Sequence, residues 1–345
     1  MKVIVRADGN ANIGMGHVMR CLSLADALAA KQVICIFVIS DEHCLDVITN
    51  RGFEVVVLQT KLEDYGESAI GSFMELISLR KPDMVVVDSY YVTQDFFTSV
   101  QSVTKTVYIT EDCPSESFHH IDYFINYNIY ANDMLGERHD ISTKFILGSQ
   151  YTLLRNEFKD CSSEKKETNQ IVIFTGGSDP LNIATELCSF LLQIETLQNY
   201  NVNIVSGLIN PNLDSLYELE RKSKRVHIIT APPCMSKVML EQEIAISSAG
   251  STLYELCACQ IPTISYIYAD NQRMLAQEFA KKKIIPYAGD MRIDRRKVIN
   301  NIIELLMEYL RNKREWSRRA ENMHKFCDGQ GALRVANILL GLPHC

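Results

Sequence analysis

The feature that most constrains this chain is a repeated alternation. Short, unbroken apolar runs rich in β-branched residues alternate with amphipathic stretches of helical period, and the pattern runs through once and then restarts. In the first half the runs are Val3–Val5, Val33–Ile39, Glu54–Leu58, Met84–Val87 and Thr106–Ile109, with a helix expected near His17–Ala30. Strands that are apolar on both sides suit a parallel sheet covered on both faces, and the helical stretches between them make βαβ units. A polar stretch, Lys159–Gln170, follows and reads as a surface segment at a domain boundary. The pattern then resumes with strands at Ile171–Phe174, Asn203–Val205, His227–Ile229, Ile244–Ser247 and Thr263–Tyr266, and helices at Asn182–Gln193, Val298–Arg311 and Ala332–Leu340. The expected architecture is α/β with two doubly wound, Rossmann-like domains, 1–160 and 161–345, facing across a cleft. In open sheets of this kind ligands bind outside the carboxyl ends of the strands.

The chemistry is therefore sought in the loops after strands. The first is Arg6-Ala-Asp-Gly-Asn-Ala-Asn-Ile-Gly-Met-Gly-His-Val-Met-Arg20. Gly14 and Gly16 permit a tight backbone path near a ligand. A helix opens near His17, where free N–H groups and the helix dipole favour an anion and a neutral imidazole. Met19 stands where a dinucleotide fingerprint needs glycine, and no GKS or GKT is present for a P-loop. From spacing alone His17 reads equally as a proton-accepting base or as a helix-capping histidine.

Two further loops offer anion-binding corners. Phe174-Thr-Gly-Gly-Ser-Asp-Pro180 puts Gly176, Gly177 and Ser178 between a strand and a helix, with Ser178 or Asp179 as an N-cap in the plainer reading. Ile246-Ser-Ser-Ala-Gly-Ser-Thr-Leu-Tyr-Glu255 puts the N–H groups of Gly250, Ser251 and Thr252 where a diphosphate could sit. Glu255 lies one turn on, able to take both hydroxyls of a ribose or to close a capping box with Thr252. Asp88 and Tyr90 end another strand, and Asn271 and Gln272 begin another helix. Such groups hold sugar hydroxyls or cap loops. His119 and His120 read as solvated.

Composition excludes several classes. The formal net charge is −7, which argues against nucleic acid as a partner. No apolar run reaches the roughly 18–20 residues of a membrane span, and the amino terminus lacks the pattern of a signal peptide, so a cytoplasmic protein is expected. The 11 cysteines are scattered without CxxC or nearby histidines, as reduced thiols are. No DxD-like or His/Cys metal motif appears, so no cofactor is expected.

In order, these segments are RxD, GxGHxxR, D-S-Y, N-Y-N-x-Y, L-R-N-E-F, T-G-G-S-D, S-S-A-G-S-T-x-x-E and N-Q. Together they resemble the UDP-2,4-diacetamido-2,4,6-trideoxy-β-L-altropyranose hydrolases of pseudaminic acid synthesis, over roughly residues 1–290. The resemblance implies a GT-B-type fold, a UDP-activated sugar as substrate and UDP as product. It implies hydrolysis at the anomeric carbon, and since no carboxylate nucleophile is suggested, inversion is expected there. It makes His17 the catalytic histidine, Glu255 the ribose-binding acid and Ser251 part of the phosphate turn. Tyr90, Asn271 and Gln272 then line the sugar pocket, flanked by Asp8 and Arg20. A glycosyltransferase using the same donor is the alternative. The acidic stretch Lys61–Arg80 offers no basic patch for a lipid acceptor.

Overall fold

The computed structural model of the chain describes residues 1–10, 13–111, 119–135, 142–161 and 167–343. The fold divides into two units, Met1–Asn156 with Gln330–Cys345, and Glu157–Gly329.

The first unit holds seven strands: β1 (Lys2–Ala7), β2 (Ile34–Ile39), β3 (Glu54–Val57), β4 (Met84–Asp88), β5 (Lys105–Ile109), β6 (Tyr123–Asn126) and β7 (Lys144–Leu147). Their order in the sheet is β3-β2-β1-β4-β5-β6-β7. Every pairing is parallel. The sheet is covered on both faces, which is why its strands read as unbroken apolar runs. Along β1, Val3, Val5 and Ala7 enter one core while Ile4 enters the other.

The second unit holds β8 (Gln170–Phe174), β9 (Asn201–Ser206), β10 (Val226–Thr230), β11 (Ile244–Ser248), β12 (Thr263–Ile267) and β13 (Tyr287–Asp290). Their order is β10-β9-β8-β11-β12-β13, again with every pairing parallel. Each sheet grows outward from its first strand in one direction and then crosses back to continue on the other side. The reversal lies between β1 and β4 in one unit and between β8 and β11 in the other. A crevice for a ligand opens at such a point, at the carboxyl ends of the two strands.

The end of the chain differs from the expected partition. The helix Gly331–Leu339 packs in the first unit, where Ala332, Val335, Ala336, Ile338 and Leu339 share a core with Val18, Leu22 and Ala25. Burial of that apolar stripe decides the matter. A Cβ on Gly331 would lie 2.2 Å from the Thr152 carbonyl oxygen, so only glycine lets the returning chain pass so close. The other division falls after Asn156, within the Leu154–Phe158 segment, and not after residue 160. Residues 162–166 of the polar stretch lie outside the described residues. Nine described cysteines are free thiols, eight of them buried.

Candidate active site

β1 delivers the chain into the loop that precedes α1 (Gly16–Ala29). Gly14 takes φ +75°, and its N–H donates to the Asn10 carbonyl at 2.8 Å. α1 then starts at Gly16. His17 is inside its first turn and not at its cap; the cap position is Met15, with no side-chain capping bond. The helix turns His17, Arg20 and Cys21 inward, against the end of β4. Register explains the meeting, because Ala7 of β1 pairs beside Asp88 of β4.

Asp88 is the centre of a buried charged cluster. It is 1% exposed, and His17 and Arg20 are 3% and 6% exposed. Its Oδ1 lies 2.6 Å from His17 Nδ1 and accepts from Arg20 Nη2 at 2.7 Å. Its Oδ2 accepts from Arg20 Nε and, at 3.7 Å, from the Cys21 thiol. Burial alone would raise the Asp88 carboxyl, but Arg20 and His17 together hold it below the usual carboxylate range. Nδ1 of His17 also lies 2.8 Å from Arg20 Nη2; in the tautomer whose Nδ1 hydrogen goes to the ionised Asp88, which only accepts, a neutral ring keeps its lone pair on Nε2. That Nε2 is buried and has no hydrogen-bond partner among the described residues. The Tyr90 ring stands edge-on to the imidazole, with centroids 4.4 Å apart.

Arg20 is held from behind. Its Nη1 lies 2.9 Å from Glu111 and 3.4 Å from the Tyr127 hydroxyl, which itself donates to Glu111. Asp8 belongs to a neighbouring network. Its carboxylate is taken up by Arg6, by the Ser40 N–H at 2.6 Å and by the Ser40 hydroxyl at 3.2 Å. Asp8, Arg20 and Asp88 were expected among sugar-contacting groups. In the fold their polar atoms meet protein partners, Asp8 and Asp88 at the ends of β1 and β4 and Arg20 from the second turn of α1. Glu111 carries no signal in the sequence beyond its position just past β5, while Tyr127 is the first tyrosine of the N-Y-N-x-Y segment, just past β6, with no role assigned to it there.

The reversal point of the second unit is built differently. The loop after β8 carries Gly176, Gly177 and Ser178, and the loop after β11 carries Gly250, Ser251 and Thr252. Ser247 of β11 pairs with Phe174 of β8, which sets the two loops side by side. Gly176 takes φ +79°. The turn rests on Gly207, beyond the end of β9, where a Cβ would meet the Gly177 carbonyl oxygen at 2.2 Å. Gly207 carried no signal in the sequence. Asp179 is fully buried and caps the helix Ile183–Leu192 from outside, accepting from the Ile183 and Ala184 N–H groups at 2.9 and 3.0 Å. The helix Thr252–Ala258 starts after Ser251, whose side chain makes no capping bond. Around its start the Gly250 N–H donates to the Ser248 carbonyl at 2.9 Å and the Leu253 and Tyr254 N–H groups donate to the Gly250 and Ser251 carbonyls at 3.0 Å. Glu255 is half-buried in that first turn. Gln272 is buried and accepts from the Tyr268 N–H at 2.9 Å, while Asn271 is exposed.

Among the described residues no three His, Cys, Asp or Glu side chains group as metal ligands would. No described helix is long and apolar enough to cross a membrane.

Residues 150–329 match the glycosyltransferase family 28 C-terminal domain. The chain belongs to this family. The family 28 match nearly coincides with the second unit. Over 285 residues the chain is 25% identical to the UDP-2,4-diacetamido-2,4,6-trideoxy-beta-L-altropyranose hydrolase of Campylobacter jejuni, covering 82% of this chain and 97% of that protein. Over 296 residues it is 28% identical to an uncharacterized protein of Methanocaldococcus jannaschii, covering 82% of this chain but 59% of the archaeal protein's length. The crystal structure of Acinetobacter baumannii MurG superposes with a TM-score of 0.72 at 14% identity, covering 99% of this chain and 100% of that one. The fold is thus of the GT-B type, with two parallel-sheet α/β units.

Proposed function

We propose that this chain is an enzyme that hydrolyses a UDP-activated diacetamido-trideoxy sugar at its anomeric carbon. The products are UDP and the free sugar, a step toward nonulosonic acids of the pseudaminic type. The observation that carries the reading is the His17 ring, oriented by Asp88 through Nδ1 and left with an unpartnered Nε2. A base needs that arrangement: a fixed tautomer and a free lone pair. The similarity to the Campylobacter hydrolase supports the choice of substrate.

In this mechanism His17 Nε2 takes a proton from a water molecule as its oxygen bonds to the anomeric carbon. The bond from that carbon to the diphosphate oxygen breaks on the opposite face, and its electron pair leaves with UDP, so the configuration inverts. Asp88 stabilises the imidazolium that forms. Gly250, Ser251 and Thr252, with Gly176, Gly177 and Ser178, receive the diphosphate through backbone N–H groups, and Glu255 takes the ribose hydroxyls. Tyr90, Asn271 and Gln272 contact the sugar. Asp8 and Arg20 act from behind as positioning residues.

The family 28 match favours one other reading, a transferase that passes the sugar to an acceptor. Purified protein and UDP-sugar, with no acceptor, decide between them. The hydrolase releases UDP stoichiometrically with free sugar, and EDTA leaves the rate unchanged. Release only on adding an acceptor would establish the transferase.

A further inference from the structure

The proposed base explains Asp88 but not the groups beyond it. Arg20 uses all three guanidinium nitrogens on protein partners. Nε and Nη2 form a fork on Asp88, and Nη1 turns away to Glu111 and the Tyr127 hydroxyl. Glu111 is in turn fixed by the Tyr127 O–H. A guanidinium is rigid and planar, so holding its far edge fixes the angle of the fork. The Asp88 carboxylate that orients His17 is thus held by a clamped cation, whose Nη2 also lies 2.8 Å from His17 Nδ1.

Charge counting gives Glu111 a second consequence. With His17 neutral, Asp88, Arg20 and Glu111 together carry one negative charge. Proton transfer to His17 brings the cluster to neutrality. Without Glu111 the cluster would start neutral and end positive, and Arg20 would cancel Asp88 outright. Among the described residues the other groups nearby do not change this count. Burial keeps the Cys21 thiol and the Tyr127 phenol neutral by raising both well above their ordinary values. On the β1 side Arg6 and Asp8 compensate each other, and the Tyr65 phenol beside them is also raised by burial. His17, Arg20 and Asp88 are out of water, where such differences are least screened, and Glu111, 33% exposed, acts on them from the solvent side.

We propose that Glu111, steadied by Tyr127, is a positioning residue that clamps Arg20 and sets how readily His17 accepts a proton. The catalytic meaning rests on the hydrolase reading, but the protonation behaviour of His17 does not, and it is measured first. Glu111→Gln keeps the size and the bond to Tyr127 while removing the charge. In protein with isotope-labelled histidine, the His17 signal is assigned by its absence in His17→Asn and followed through a pH titration. In Glu111→Gln the midpoint of proton uptake falls by about 0.5–1 unit, the lower end of what one nearby carboxylate does. Tyr127→Phe moves it the same way by less, and Glu111→Asp restores part of it. In turnover, the acid limb of the rate profile moves with the midpoint, and the plateau kcat drops several-fold with KM kept. A purely structural Glu111 predicts lower thermal stability with the midpoint unmoved. Unmoved midpoints in folded Glu111→Gln and Tyr127→Phe would overturn the proposal. A native chain that releases no UDP would overturn the hydrolase reading alone.

Discussion

The two units reach the same strand order by the same crossover, yet they furnish the point of reversal with opposite chemistry. In the first, the crevice floor between β1 and β4 is packed with ionised side chains: Asp88, Arg20 and, one network over, Arg6 and Asp8. In the second, the floor between β8 and β11 carries glycine, serine and threonine, and the one buried acid there, Asp179, is turned to capping a helix. The contrast matches what each chemistry needs. A base must be oriented and its charge compensated, which takes fixed side chains. A diphosphate needs close approach to backbone N–H groups, which takes their absence. Under the proposed function, the same topology serves as a reaction corner in one unit and an anion corner in the other.

The largest expected effect separates the two buried acids. Asp88→Asn removes the group that fixes the His17 tautomer and leaves Arg20 with Glu111 alone. Turnover should drop about 10²–10⁴-fold in the folded enzyme, and stability by about 3–5 kcal/mol. Asp179→Asn should cost about 0.5–2 kcal/mol, as a cap does, with turnover largely kept. Denaturant melts against pH sharpen this, because the two carboxyls shift in opposite directions. Arg20 and His17 hold Asp88 low, so its contribution is present above the unfolded value of about 3.9 and is lost as pH falls below it. Burial raises Asp179 despite the two N–H groups it accepts from. It gains its proton on folding as pH falls toward that same value, so the native state gains. On acidification the stability gap to native should narrow for Asp88→Asn and widen for Asp179→Asn. Equal behaviour would mean that the two sites are not electrostatically distinct.

Next in size, Glu255→Ala should weaken UDP binding by about 1.5–3 kcal/mol, the worth of hydrogen bonds to a charged group. Calorimetry with UDP measures it, and unchanged affinity would remove Glu255 from the anion corner. Gly207→Ala should destabilise by about 1–3 kcal/mol, because its Cβ would strike the Gly177 carbonyl. The smallest effect on folding belongs to Gly177→Ala and Gly250→Ala. A Cβ at either meets nothing within 4 Å, and neither has positive φ. Their melting temperatures should stay near native while UDP affinity falls. Native affinity in both would show that no ligand approaches that backbone.

The strands that were legible from sequence are β-branched apolar runs, among them the doubly covered β1, β4 and β11 and the half-exposed edge strands β3 and β10. The ones that were not legible are short or mixed. β6 and β7 are four residues each, Tyr-Phe-Ile-Asn and Lys-Phe-Ile-Leu, and β13 is Tyr-Ala-Gly-Asp with an irregular register against β12. The helix Lys313–Phe326 is so charged that only Trp316, Ala320 and Met323 are buried, too thin a stripe to stand out. In the site, the glycine loops and His17 were visible because their chemistry is local. The partnership of His17 with Asp88 joins residues 71 apart, and Arg20 with Tyr127 joins residues 107 apart. Only strand order brings those together. A sequence shows an acid at a strand end without showing whether it meets solvent or a histidine.

The central claim is that His17 acts on the reaction and not on the fold or the nucleotide. The most direct test is one variant, His17→Ala, measured for kcat, UDP affinity and melting temperature. The account predicts a kcat loss of about 10²–10⁴-fold in the folded protein with UDP affinity near native, since a base contributes in the transition state, and a stability loss of no more than about 1–3 kcal/mol from the buried hydrogen bond to Asp88. A folded His17→Ala protein that keeps near-native kcat would contradict it.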